Sequence, residues 1–151
     1  MEDVMKDLIP MSLSLLLGTL VGWERQMGRK PAGLRTHVLV CLGSTMFCLT
    51  TSYAYSAFGG HSLDATRVAH GVVTGVGFLG AGSIMRQEGY VAGLTTAASI
   101  WMVAAIGVAV GVHAYALATI GTLFALLVLE GYRWAERFLS PGHEHDHDTS
   151  E

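Results

Sequence analysis

The chain has 151 residues, of which 51% are hydrophobic and 14% charged, with a formal net charge of -3. That length allows one bundle of short-looped helices and not a bundle plus a folded soluble domain. The small net charge and the lack of a basic stripe give no sign of a nucleic-acid partner.

The distribution of charge sets the class. No Asp, Glu, Lys or Arg occurs between Arg35 and Asp64, between Arg67 and Arg86, or between Glu88 and Glu130. Uncharged apolar runs of roughly 18 residues or more are what a helix needs to cross a hydrocarbon core of ~30 Å. A charge at the centre of such a helix costs on the order of 2.5–3.5 kcal/mol. The pattern predicts an all-α integral membrane protein, with the lipid bilayer as its first partner.

Taken in order, the first span covers residues 8–23, with Pro10 in its first turn and Trp23 at the interface. Glu2, Asp3 and Asp7 stand where a signal peptide would carry positive charge, so this segment is expected to be retained. A polar loop with Arg25, Arg29, Lys30 and Arg35 leads to a second span over 36–58, ended by Gly59 and Gly60. The third span, 65–85, is closed by Arg86 to Gly89. The remaining apolar run, Gly89 to Leu129, would be about 60 Å long as one helix, twice the core thickness. It must therefore break, and Gly111-Val112-His113 is the expected place, giving spans over 94–110 and 114–134. Residues 1–140 form the transmembrane domain on this reading, and 141–151 a disordered His/Asp-rich tail.

Basic residues orient the bundle. With the first loop in the cytoplasm, Arg25, Arg29, Lys30, Arg35, Arg86, Arg133 and Arg137 lie inside, and only Lys6 and Arg67 lie outside. This asymmetry predicts an outer N-terminus and an inner C-terminus. The ends of the first and third spans and the starts of the second and fourth then share the cytoplasmic face, which gathers Glu24, Arg25, Arg35, Arg86 and Thr95 into one candidate polar site.

Other constellations carry less. Asp64 and Arg67 form a candidate pair on the outer face, with Asp64 as a helix cap. Gly71, Gly75 and Gly82 in the third span, and Gly107 and Gly111 in the fourth, make smooth faces for close helix packing or for a homodimer seam. The third span could alternatively break at Phe78 to Gly82 and expose backbone carbonyls, as in transporter sites. His143, His145 and His147 alternate with acidic residues, a weak candidate site for a divalent metal. Cys41 and Cys48 would be ~10.5 Å apart along a helix, too far for a disulfide, and read as packing residues. No set of catalytic residues lies at one membrane depth, so neither an enzyme nor a cofactor is expected. Nor does any Asp or Glu lie deep in a span, where a carrier of Mg²⁺ would need oxygen ligands.

Four motifs, in order, resemble the MgtC/SapB family of bacterial membrane proteins. They are GWERQ from Gly22, AGLRTH from Ala32, GVGFLGAGSIMR from Gly75 and GLTTAASIW from Gly93. The resemblance covers Leu8 to Tyr132. It implies a multi-pass protein of the inner membrane, associated with magnesium homeostasis and virulence, which acts on other membrane proteins such as ATPases and not as a magnesium carrier. The matching motif residues are Glu24, Arg25, Arg35, Asp64, Arg67, Arg86 and Thr95. His70-Gly71 stands where the family often has Ala-Gln. The short tail in place of a soluble C-terminal domain resembles the SapB-type branch.

Overall fold

The computed structural model describes residues 2–57, 65–87 and 89–139. Asp64, His143, His145 and His147 lie outside the described residues. Five helices and one small hairpin follow in chain order: α1 (Glu2–Met27), α2 (Leu34–Ala57), α3 (Ala65–Gly82), β1 (Met85–Gln87), β2 (Tyr90–Ala92), α4 (Leu94–Gly111) and α5 (Tyr115–Leu139).

Three of these helices contain stretches long and apolar enough to cross a membrane, Val4–Met27, Leu34–Thr51 and Leu94–Gly111, and α5 carries a shorter apolar stretch, Tyr115–Gly131. The radial pattern differs from that of a soluble bundle in its exterior. Leu16, Trp23, Leu39, Phe47, Leu123 and Phe124 are all exposed, and Phe78 is 81% exposed, while Ser14, Thr45, Thr96, Ser99 and Thr122 are buried. An apolar exterior of this extent is unfavourable in water and suited to lipid. The hydroxyls inside bond to backbone and to one another. Thr45 Oγ1 lies 2.8 Å from Gly107 O and 2.9 Å from Ser14 Oγ, and Ser14 donates to Cys41 Sγ at 3.3 Å.

α4 is the central element, with Ile100, Val103, Ala104, Ile106, Ala109 and Val110 buried along it. It packs against α2 most extensively, and also against α1, α3 and α5. Close approach to α2 depends on two glycines. A Cβ on Gly107 would collide with the carbonyl oxygen of Cys41, and one on Gly111 would stand 2.5 Å from Cys48 Cβ. Gly18 and Gly22 do the same for α1 on α2, with 2.9 Å to Cys41 Cβ and 2.8 Å to Leu34 Cα.

Several boundaries differ from the sequence reading. α1 begins at Glu2, so Pro10 is a buried interior residue and not part of the first turn. α3 runs unbroken through Phe78 to Gly82, so its backbone there is not opened for ligands. It stops at Gly82 because the chain tightens into i→i+3 bonds, Ser83 N–H to Gly80 O and Ile84 N–H to Ala81 O, reinforced by Ser83 Oγ on Gly80 O at 2.7 Å. Met85, Arg86 and Gln87 then pair antiparallel with Ala92, Val91 and Tyr90. Gly93, at φ 90°, enters α4 in the left-handed region, and a Cβ there would strike Ser83 O. α4 ends with Ala114 N–H on Ala109 O at 2.8 Å and His113 N–H on Val110 O at 2.9 Å, with His113 at φ 63° in the place glycine usually takes.

Candidate functional site

The buried face of α1 holds Pro10, Ser14, Leu17, Val21, Glu24 and Arg25. These positions recur at helical spacing, so the same stripe that packs the bundle carries two charged residues inward in its last turns. Glu24 is 5% exposed and Arg25 2%. Their side chains meet through Arg25 Nη1 and Glu24 Oε2 at 3.5 Å. This is long for a charge-assisted bond, which is usually nearer ~2.8 Å. Arg25 Nε has no hydrogen-bond partner among the described residues.

His37, on the first turns of α2, completes the group. It is fully buried and packs on α1, where a Cβ on Gly22 would stand 3.2 Å from His37 Cβ. Nδ1 lies 2.8 Å from Gly33 O and Nε2 lies 3.0 Å from Ser99 Oγ on α4. A carbonyl only accepts, so Nδ1 carries a proton. Ser99 Oγ also lies 2.8 Å from Thr96 O. Ser99 thus stands between the ring and the backbone of α4. The arrangement bonds the start of α2 to α4 and packs both against the end of α1, placing their buried polar groups at one end of the bundle.

The α3 end joins them, since Gly80 lies against Ala97 and Gly93 against Ser83. Four helix termini thus gather at one end of the bundle. At the opposite end Tyr53 of α2 donates to the Asp7 carboxylate of α1.

The five residues expected at the shared face divide in two. Glu24 and Arg25 are buried together, while Arg35, Arg86 and Thr95 are exposed. Arg35 stands on the first turn of α2 and lines a polar cavity of about 470 Å³ with Gln26, Gly33, Leu34 and Thr36. Arg86 lies on β1 beside a separate cavity of about 330 Å³ with Gly89, Tyr90 and Val91. The register of α4 explains Thr95: its neighbour Thr96 falls on the buried face with Ser99 and Ile100, and Thr95 points outward. Neither threonine caps α4, because Gly93 holds that position without a side-chain bond.

Arg67 and His70 are exposed on α3. The two glycine faces also separate. Gly107 and Gly111 are filled by α2 of the same chain and leave no room for a second copy, whereas a Cβ on Gly71, Gly75 or Gly82 would meet nothing within 4 Å. Among the described residues no group of three or more His, Cys, Asp or Glu stands close enough to hold a metal ion.

His37 and Ser99 had not been singled out from sequence as site residues. The available signal was a polar side chain inside an otherwise uncharged helix, spaced four residues from Cys41 and eight from Thr45 on the same face of α2.

Residues 11–138 match the model of the MgtC family. "Putative magnesium transporter YhiD" of Escherichia coli (strain K12) is 44% identical over 82% of this chain and 59% of its own length. Protein SapB of Bacillus subtilis is 33% identical over 89% of this chain and 60% of its own length, and protein MgtC of Brucella abortus is 41% identical over 76% of this chain and 46% of its own length. The chain thus spans about half to three-fifths of the length of these relatives, and MgtC and SapB alike extend beyond the matched segment. No solved structure matches it. With the family model covering nearly the whole helical region and the identities above 30%, the chain belongs to the MgtC family.

Proposed function

We propose that this chain is a five-span protein of the bacterial inner membrane, N-terminus outside and C-terminus inside, that regulates other membrane proteins during magnesium homeostasis or stress adaptation. The observation that carries this reading is the state of Glu24. It is a buried acidic residue, and it is paired with Arg25 at one end of the bundle. A Mg²⁺ carrier needs several oxygen ligands that can replace tightly held water. A carboxylate beside a guanidinium is poorly suited to that. Buried polar groups packed together from three helices are well suited to holding one bundle geometry, which a partner such as a membrane ATPase would recognise. This reading assigns the chain no chemical reaction.

Transport is the second reading, favoured by the name that the YhiD relative carries. The two are separated by reconstituting the full chain in liposomes loaded with a magnesium indicator. Regulation predicts influx no faster than in empty vesicles across a range of external Mg²⁺. Saturable influx that Glu24→Gln abolishes would establish transport instead.

A further inference from the structure

One face of α2 carries two features in series. Toward its N-terminus Arg35 and Thr36 line the polar cavity already described. One turn further, Leu39, Gly43 and Phe47 of α2 face Gly71, Gly75 and Leu79 of α3 across an apolar groove of about 610 Å³. Thr36, Val40, Gly43 and Phe47 recur at helical spacing, so polar cavity and apolar groove lie along one face of α2, with Arg35 beside it.

We propose that this face binds one anionic phospholipid, its phosphate at Arg35 and Thr36 and an acyl chain in the groove between α2 and α3. Three observations select this occupant. The groove exists because side chains are missing: a Cβ on Gly43, Gly71 or Gly75 would meet nothing within 4 Å. Its length fits one leaflet. From Arg35 to Phe47 the helix rises about 18 Å, close to half of the ~30 Å core, whereas a helix from a second copy would cross both leaflets. Its charge is of one sign: Arg29, Lys30 and Arg35 are all exposed, and no acidic residue occurs between Glu24 and Asp64. Basic side chains at a membrane surface attract anionic headgroups, and the positive end of the α2 dipole lies at the same place.

The proposal rests on the helices lying in the bilayer, and extraction of the chain from washed membranes, measured in parallel, fails only if that reading fails. The test is native mass spectrometry of the full chain in mild detergent, titrated with phosphatidylglycerol or with phosphatidylcholine. One phosphatidylglycerol per chain should be retained, in preference to phosphatidylcholine by roughly tenfold, and Arg35→Gln should cut that preference roughly fivefold. Gly43→Leu fills open space, so helicity by circular dichroism should be unchanged while both lipids are lost. Equal retention of the two lipids, or an unchanged preference in Arg35→Gln, would overturn the proposal. So would a dimer mass that Gly43→Leu disperses, since a second copy would then occupy the groove. Should Gly43→Leu not accumulate, the exposed Arg35→Gln variant alone decides.

Discussion

Gly107→Ala is expected to destabilise the bundle by about 1–3 kcal/mol, the usual cost of forcing an extra carbon into a packed interior. The new Cβ would collide with Cys41 O and stand 2.8 Å from Ser44 Cβ. The collision is with backbone, so no flexible side-chain end can give way, and α2 and α4 must separate. Separation also lengthens the bond from Thr45 Oγ1 to Gly107 O, now 2.8 Å. Gly75→Ala is the matched control. Its Cβ meets nothing, and Ala is the better helix former by up to about 1 kcal/mol. Thermal or denaturant unfolding of the detergent-solubilised chain should show the first variant clearly destabilised and the second unchanged or slightly stabilised. Equal effects would contradict the assignment of α2–α4 as the tight contact.

Arg25→Met is expected to be at least as damaging, by about 3–5 kcal/mol, because it leaves the Glu24 carboxylate buried beside an apolar side chain. The pair itself contributes little. Its contact is long, and Arg25 Nε is left without a hydrogen bond among the described residues. Most of the loss should therefore return when the remaining charge is also removed, in Glu24→Gln/Arg25→Met. Arg35→Gln, at an exposed position, should cost under about 1 kcal/mol. Unfolding of the two single variants and the double variant provides the check. A double variant as unstable as the sum of its singles would mean that Glu24 and Arg25 act independently.

These two predictions also mark what the residues alone reveal. Uncharged runs identify apolar helices because lipid penalises every central charge, and the turn at Gly111 to His113 is forced by the length of the final run. The hairpin at Met85 to Ala92 was not legible, since strands of three residues have no period to detect and its residues read as a polar turn between the third span and the last apolar run. Glycine density does not tell which glycines make contacts within the chain. α3 is rich in glycine yet presents Gly71 and Gly75 to open space, while Gly18 and Gly22 on α1 make close contacts that nothing in their number announces. Charge behaved likewise. Glu24, Arg25 and Arg35 all stand near helix ends, and only the phase of each helix decides which are buried. That phase became visible in the three-dimensional register of Val21 with Glu24 and of His37 with Ser99.

The proposed function requires the bundle to cross the inner membrane with the termini of α1 to α4 at Glu24, His37, Gly82 and Gly93 on the cytoplasmic side. A reporter active only in the cytoplasm, fused to the full helical region, tests this directly. It should be active after Leu139, inactive at the N-terminus and inactive when inserted at Gly60. Activity at Gly60, or at the N-terminus, would contradict the proposed orientation and with it the cytoplasmic placement of the Glu24–Arg25–His37 centre.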